Sequence, residues 1–232
     1  MEIETNIQRV QKYLTQYGFA QILEDEMIQQ MKLYVFNPGE HIVRSHEKPE
    51  MFYFYVKGKS KVYQLLDNGK SLLCRFYNPP EIVGDVEIFS DMPNICNLQA
   101  LTRVTCVGIS VEKIRKAAES NNRLLMLLCR SLGLKLASFN MISAVNQKFP
   151  LENRLASYLA AVSEPGKKGE VIVSEIHTNN LTELADLLGS SYRHLTRTIK
   201  SFKDKGIVTK NNREIAIIDK KQLQGLAKDI YI

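Results

Sequence analysis

The chain has 232 residues, 44% of them hydrophobic and 24% charged, with 12 glycines and 7 prolines. This composition excludes collagen-like and disordered chains, and the length allows one large domain or two smaller ones with cores of their own. The N-terminus has no secretory signal pattern, and the apolar runs fall far short of the roughly 20 residues that cross a bilayer. Four cysteines without a C-x-x-C spacing fit a reducing compartment. We therefore expect a cytoplasmic protein with no membrane partner.

The formal net charge of +6 is modest, and its distribution carries more information than its size. Residues 189–213 hold seven basic residues against one acid, Asp204, so that seven minus one gives this window +6 on its own. A charge run of this kind is usually a solvated helix face. The helix and turn signals around it favour a different interpretation, which is contact with nucleic acid.

Residues 33–109 have the pattern of short strands in succession. Turn-forming residues interrupt this pattern at 37–39, 57–59, 67–70 and 78–80. Asn68 followed by Gly69 is a hairpin signal, because both residues tolerate the positive φ of a tight turn. Several short strands separated by such turns predict a sandwich or a barrel.

A helical region follows the strands. Ser110 is a good N-cap for a helix over residues 111–119, and Asn121 or Asn122 starts a long helix that runs to about Asn146. Phe149-Pro150 ends this region, because proline pushes the residue before it out of the helical conformation. The next helix is predicted over residues 151–162.

Apolar residues recur along the long helix at spacings of three and four. A seam of this length favours pairing with a second helix in a homodimer, although such a stripe also packs against its own domain. The predicted dimer-interface residues are Leu125, Leu128, Leu132, Leu136, Phe139 and Ile142.

A helix-turn-helix pattern lies in the last third of the chain. Residues 184–188 predict a short helix, Gly189 a turn, and Ser191 the N-cap of a second helix over residues 192–202. In this arrangement the first helix braces the second, whose N-terminal side chains reach base edges in the major groove of double-stranded DNA. The second helix has its predicted buried stripe at Leu195, Ile199 and Phe202.

Residues 206–218 predict a β-hairpin with a polar, basic tip, which would complete a winged helix whose wing touches the DNA backbone. Either Arg193 or Arg197 suits bidentate contact with guanine, and Lys200 suits a phosphate. The candidate DNA-binding residues are Ser191, Tyr192, Arg193, His194, Arg197 and Lys200 on the helix and Lys210, Asn211, Asn212 and Arg213 on the wing.

With these segments in this order, the whole chain resembles the Crp/Fnr superfamily of bacterial transcription regulators. The residues that carry the resemblance are Pro38-Gly39-Glu40, Tyr55-Val56-Lys57-Gly58, Gly84-Asp85-Val86-Glu87-Ile88-Phe89 and Leu184 to Ile199, and residues 149–156 with Ser191-Tyr192-Arg193-His194-Leu195 resemble its YeiL-like branch. The resemblance implies an α+β fold with an N-terminal β-roll, which is a jelly roll of the cyclic-nucleotide-binding kind, then a long dimerisation helix and a C-terminal winged helix-turn-helix.

The implied domains are residues 1–120 with N-terminal helices and the β-roll sensor, 121–148 with the dimerisation helix and hinge, and 149–232 with the DNA-binding domain. The resemblance also implies a homodimer that reads a near-palindromic operator and works with RNA polymerase. The family reads bases with an Arg-Glu pair and an Arg four residues after that Glu. This chain matches only the last of these, at Arg197, and has Tyr192-Arg193 in place of the pair, so its operator should differ from the common family site.

The family's cyclic-nucleotide pocket has its counterpart here in a set of residues that lacks the expected anion donor. Gly84-Asp85 stands where the family has Gly-Glu for the ribose, and Ile95-Cys96 falls near the place of the Arg-Ser pair that holds the phosphate. No arginine lies between Arg75 and Arg103, and a cyclic phosphate needs such a donor. The Thr-Ser pair of the dimer helix is replaced by something near Phe139-Asn140. We therefore expect no cyclic nucleotide and an unidentified signal; the candidate effector-pocket residues are Gly84, Asp85, Cys96, Phe139 and Asn140.

The sequence also has to be examined for the ligands of an iron-sulfur cluster or a metal ion and for reactive thiols. Iron-sulfur members carry a cysteine cluster near the N-terminus, whereas the first cysteine here is Cys74, so we expect no iron-sulfur cluster. His41 and His46 are five residues apart and do not share a face of a strand or helix, so we expect no metal. Cys74, Cys96 and Cys106 leave thiol sensing open, but buried cysteines are usually small hydrophobic residues.

Two alternatives to a DNA-binding regulator remain open from the residues alone. A jelly-roll enzyme of the cupin kind would need closely spaced histidines and a carboxylate, of which the strand region offers only His41 and His46. A protein-binding scaffold with a winged helix that does not meet DNA would need an apolar outer face on the second helix. We predict that the protein is not an enzyme but a sequence-specific DNA-binding transcription regulator.

Overall fold

The computed structural model of the chain describes residues 1–90, 92–165, 171–173, 181–210, 215–228 and 230–231. Two compact units make up the fold: residues 1–62 with 77–138, and residues 63–76 with 139–232. The domain boundaries predicted after residues 120 and 148 stay predictions.

The N-terminal half of the chain alternates short helices with short antiparallel strands. Its elements are β1 (Glu2–Glu4), α1 (Ile7–Gln16), α2 (Asp25–Ile28), β2 (Lys32–Phe36), β3 (His41–Val43), β4 (Met51–Lys57), β5 (Ser60–Leu65), β6 (Ser71–Tyr77), β7 (Glu81–Val83), α3 (Asp85–Ser90), β8 (Asn97–Ala100), β9 (Val104–Ser110), α4 (Val111–Ala118) and α5 (Asn122–Lys148). One sheet has the strand order β1-β2-β9-β4-β7 and another the order β3-β8-β5-β6. The predicted β-roll is confirmed.

Strand β4 explains why this roll has two cores. Phe52 and Phe54 are fully buried in a cluster with the helices α1, α2, α4 and the start of α5. Tyr53 and Tyr55 point to the opposite face and join a second cluster with residues of β2, β3, β8 and β9. A strand buried on both faces needs a continuous apolar run, because successive side chains alternate between the faces.

The turn between β4 and β5 requires a glycine. Gly58 has a φ of +97°, and a Cβ atom there would lie 2.7 Å from the carbonyl oxygen of Arg103. No L-residue adopts this conformation readily, and the neighbouring backbone leaves no room for a side chain. The turn signal at residues 57–59 therefore marks a close approach of two backbone segments.

Helix α5 is apolar on two faces, and the inward one was misassigned from the sequence. The prediction that Leu128 lies in a dimer seam is wrong, because Leu128 is fully buried with Leu124 in the core of the first unit. Leu125 and Leu132 are half-buried, whereas Leu136 is 66% exposed. The side chains of Phe139 and Ile142 lie outside the described residues, so those two assignments stay predictions.

The second unit contains the C-terminal elements. These are α6 (Leu151–Val162), β10 (Glu164–Pro165), β11 (Val171–Val173), α7 (Leu181–Leu187), α8 (Tyr192–Asp204), β12 (Val208–Lys210), β13 (Ile215–Ile217) and α9 (Lys220–Ala227). The strands form an antiparallel sheet in the order β10-β11-β13-β12. Helices α7 and α8 with the β12–β13 hairpin form the predicted winged helix-turn-helix.

Candidate nucleic-acid interface

The turn between α7 and α8 is built by a glycine in the left-handed conformation. Gly189 has a φ of +59°, and its N–H donates to the carbonyl oxygen of Asp186 at 2.8 Å. The N–H of Ser190 donates to the carbonyl oxygen of Ala185, also at 2.8 Å. These two bonds form a Schellman motif, which satisfies the carbonyls at the end of a helix and turns the chain. The chain is thereby redirected into α8.

Helix α8 starts at the predicted cap. The Ser191 hydroxyl accepts a hydrogen bond from the N–H of His194 at 3.2 Å, which satisfies one of the donors that a helix start leaves open. The predicted stripe of Leu195, Ile199 and Phe202 is confirmed, since all three are buried. Sequence signals therefore set both the start of this helix and its inward face.

The opposite face of α8 is exposed and basic. Arg193, Arg197 and Lys200 are exposed at spacings of four and three residues, which places them along one side of the helix. Tyr192 and His194 are also exposed, the first at 54%. The acid of α8, Asp204, lies at its C-terminal end, away from this face's N-terminal portion. Such a surface suits a polyanion, because cations and flexible donors can reach phosphates and base edges together.

The base of the wing is the pair of strands β12 and β13. Val208 pairs with Ile217 and Lys210 with Ile215 in an antiparallel register. Lys210 is half-buried where the hairpin leaves the sheet. The predicted tip contacts Asn211, Asn212 and Arg213 lie outside the described residues and stay predictions.

One residue of the predicted effector pocket, Asp85, already has its carboxylate bound by other side chains of the same chain. Asp85 begins α3 and is fully buried. One carboxylate oxygen is paired with the ammonium of Lys135 on α5, and the other accepts a hydrogen bond from the Ser131 hydroxyl at 2.5 Å. The same ammonium donates to the carbonyl oxygen of Ile82 at 2.8 Å and lies 5.7 Å from the centre of the Tyr77 ring.

Electrostatics favour the charged form of this lysine. Burial alone lowers the pKa of Lys135, but interactions with Tyr77 and Asp85 outweigh burial and raise the pKa above its ordinary value. Asp85 therefore has a permanent cation beside it. Both Lys135 and Ser131 were missed from the sequence, although a signal existed: they lie seven and three residues after the inward-facing Leu128, so both positions face the roll.

The other predicted pocket residues are less informative. Gly84 is buried with a φ of +97°, and a Cβ atom there would lie 3.2 Å from the carbonyl oxygen of Met51, so the position requires glycine. Cys96 is half-buried, and the side chains of Phe139 and Asn140 lie outside the described residues. The role of all five pocket residues stays a prediction.

The four cysteines differ in burial, and a pKa shift marks one of them, Cys106. Cys74 and Cys106 are buried, Cys129 is exposed, and burial raises the pKa of the Cys106 thiol far above its ordinary value. A raised pKa keeps the sulfur protonated and unreactive. Among the described residues there is no cluster of three or more side chains suited to a metal ion. Likewise, none of the helices in the described ranges combines the length and apolarity needed to span a membrane.

Known protein families match both the N-terminal and the C-terminal part of the chain. The model of the cyclic nucleotide-binding domain matches residues 34–121, and that of the Crp-like helix-turn-helix domain matches residues 153–226. Regulatory protein YeiL of Escherichia coli O157:H7 is 28% identical over 200 residues, which cover 86% of this chain and 87% of YeiL. The transcriptional activator protein Anr of Pseudomonas protegens is 21% identical, over 82% of this chain and 78% of Anr.

Solved structures show the same fold. A putative transcriptional regulator of the crp/fnr family from Eubacterium rectale has a TM-score of 0.76 at 16% identity, over 92% of this chain and 99% of that one. A transcriptional regulator of the CRP family from Thermus thermophilus has a TM-score of 0.67 at 20% identity, over 86% and 98%. A roll of the cyclic-nucleotide-binding kind followed by a Crp-like helix-turn-helix defines a DNA-binding transcription regulator. The chain belongs to the Crp/Fnr superfamily.

Proposed function

We propose that the protein is a homodimeric regulator that reads a near-palindromic operator with α8 of each protomer. The observation that carries the proposal is the exposed basic face of α8, with Arg193, Arg197 and Lys200 on one side of a capped and braced helix. Two such helices would meet successive major grooves about 34 Å apart. The relatives are named as regulators, and we propose no catalytic activity for this chain.

The outward face of α5 supports the dimer. Met126 is 68% exposed and Leu136 is 66% exposed, with the exposed Cys129 and Gly133 between them at spacings of three and four residues. An exposed apolar stripe on a long helix costs solvation free energy unless a partner covers it. A second copy of α5 presents the same stripe and would cover it symmetrically.

We assign base reading to Arg193 and Arg197 and phosphate contact to Lys200. A guanidinium binds the O6 and N7 atoms of guanine in a bidentate manner, whereas an ammonium meets a phosphate as a point charge. Tyr192-Arg193 replaces the usual Arg-Glu pair of the family, which supports an operator different from the common one. Bound to its operator, the dimer would act on transcription through contact with RNA polymerase.

We propose further that the signal sensed by the roll is not a cyclic nucleotide. Both oxygens of Asp85 are engaged by Lys135 and Ser131, so a ribose hydroxyl would have to displace bonds that the fold already makes. The predicted place of the phosphate donor holds Ile95-Cys96, which brings no positive charge. A signal of another kind would act by shifting α5, and thereby the spacing of the two α8 helices.

The experiment selects an operator from random oligonucleotides with the reduced full chain and measures affinity at fixed salt, with and without cyclic AMP. We expect selective binding in both samples. Arg193→Ala should cost about 1–3 kcal/mol and relax specificity at one base position, whereas Lys200→Ala should weaken all sequences alike. Lys116→Ala, an exposed change on α4, is the control. Equal, sequence-blind losses for both α8 variants would refute the base-reading assignment, and binding only with cyclic AMP would refute the proposal about the signal.

A further inference from the structure

One cation of the second unit lies in its interior instead of on the DNA-facing surface. Arg154, on α6, is 7% exposed. Its guanidinium donates a hydrogen bond from Nη1 to the carbonyl oxygen of Leu188. Leu188 is fully buried and stands directly before Gly189, the residue that turns the chain from α7 into α8. A buried charge is costly unless its location brings a specific interaction, so this placement calls for a role.

The end of α7 shows what the guanidinium supplies. The carbonyl of Leu184 accepts from the N–H of Leu188, and the Schellman motif engages the carbonyls of Ala185 and Asp186. That motif does not reach the carbonyl of Leu188, which belongs to the cap residue. A buried carbonyl needs a donor, and a cation at the C-terminal end of a helix also interacts favourably with the helix dipole. Arg154 provides both at the point where the two helices meet.

We propose that Arg154 is a positioning residue for DNA reading, which fixes the turn at Leu188-Gly189 and so the angle at which α8 presents its basic face. This inference rests on the proposed function, because it concerns how the same site is held. A small change in the turn would move the exposed end of α8, where Arg193 lies, relative to the base edges. Contacts with phosphates tolerate such a shift better than bidentate contacts with bases.

Arg154 links the turn at Leu188-Gly189 to helix α6, on which Arg154 lies. Helix α6 starts at Leu151, directly after Pro150. On the same helix the amide of Asn153 donates to the carbonyl oxygen of Leu226 at 2.8 Å, which ties α6 to α9. Neighbouring polar residues of one helix turn thus hold two different targets, the helix-turn-helix in one case and the C-terminal helix in the other. This pair supplies a matched control.

The test compares Arg154→Met, Arg154→Gln and Arg154→Lys with Asn153→Ala in the full chain. For each variant the affinity for the selected operator and for a scrambled duplex is measured at several salt concentrations, together with thermal unfolding. We expect Arg154→Met to lower the ratio of operator to scrambled affinity about tenfold or more, since a buried acceptor loses its donor. The affinity for the scrambled duplex and its salt dependence should stay unchanged. Asn153→Ala should lower the unfolding temperature and leave the ratio as it is.

The ratio separates positioning from stability, because partial unfolding lowers both affinities equally. Loss of the ratio should follow the order Met, then Gln, then Lys, with lysine nearest to the parent because it keeps a charge and a donor. If Arg154→Met does not fold, the order of Gln and Lys decides. An unchanged ratio in all three Arg154 variants, or an equal loss in Asn153→Ala, would overturn the inference. A parent chain that prefers no sequence at all would instead overturn the proposed function.

Discussion

The buried pair of Asp85 and Lys135 gives the sharpest prediction about stability. Lys135→Met removes the cation from the fully buried carboxylate of Asp85 and keeps the hydrogen bond from the Ser131 hydroxyl. Breaking a buried pair from one side costs about 3–5 kcal/mol. That is a large share of the ~5–15 kcal/mol that a typical domain has. The variant should therefore unfold its roll far more readily than the parent chain.

The converse variant should cost less. Asp85→Asn leaves Lys135 charged, but its side chain is 17% exposed, so the ammonium can move towards water. The amide also retains an oxygen for Ser131. We expect a loss of about 1–3 kcal/mol, which is the usual cost of an unmatched polar group. Asp85→Leu with Lys135→Met should lie close to the parent, because an apolar pair of similar volume often replaces a buried ion pair without loss.

Hydrogen exchange followed by mass spectrometry is the suitable assay. The chain has no tryptophan to report on the roll, and a melting curve of the full chain does not say which of its two units a substitution has destabilised. Peptides from β4 and from residues 122–138 would report on the first unit alone. Arg130→Met, an exposed change on the same helix, is the matched control and should stay within about 0.5 kcal/mol of the parent. Single losses below about 1 kcal/mol, or single losses that simply add in the double variant, would refute the reasoning.

Three further changes test other parts of the fold. Ser191→Ala should destabilise the start of α8 by about 1 kcal/mol and weaken operator binding, which exchange rates and a binding titration would check; unchanged rates would contradict the capping role. Gly58→Ala should lower the melting temperature strongly, since backbone strain alone costs about 1–3 kcal/mol and the new Cβ meets the Arg103 carbonyl; a parent-like melting curve would argue against the close approach. Burial, followed by repulsion from two basic side chains, lowers the pKa of His41 below its ordinary value. Its neutral form is therefore favoured in the folded chain, so the free energy of unfolding falls as the pH drops from about 6.5 towards the lower pKa of the folded state. His41→Gln should make the melting temperature depend less on pH in this acid range. An identical pH dependence in the variant and the parent would contradict the assignment.

Local sequence signals predicted the helix-turn-helix well. The cap at Ser191, the glycine at position 189 and the stripe of α8 each lie within a few residues of the feature that they determine. Helix α6 was predicted at its observed bounds, Leu151–Val162, because proline marks its start. The turn at Gly58 was found in the same way. In each case the physical cause is a backbone conformation or a short-range hydrogen bond that the sequence displays directly.

Contacts between residues far apart along the chain could not be predicted from the sequence. The apolar spacing along α5 does not say which of its two faces turns inward, and Leu128 was therefore assigned to the wrong side. The pairing of Lys135 with Asp85 joins residues 50 positions apart, and Arg154 meets a carbonyl 34 positions away. The spacing of Lys135 from Leu128 is informative only once Leu128 is known to face inward, and Arg154 has no such marker. Without that knowledge a lysine or arginine in an amphipathic helix is expected to be solvated. Tertiary structure alone identifies which charges are interior.

The inward face of α5 has a practical consequence for dissecting the protein. Leu124 and Leu128 belong to the same apolar cluster as Phe52 of the roll, and Lys135 neutralises Asp85. A fragment that stops at residue 120 would contain every strand of the roll but would lack part of its core and the counter-charge of a buried carboxylate. Such a fragment should aggregate or melt, and its failure to bind a ligand would say nothing about sensing. A fragment extended to residue 138 keeps these contacts and is the shorter piece worth purifying.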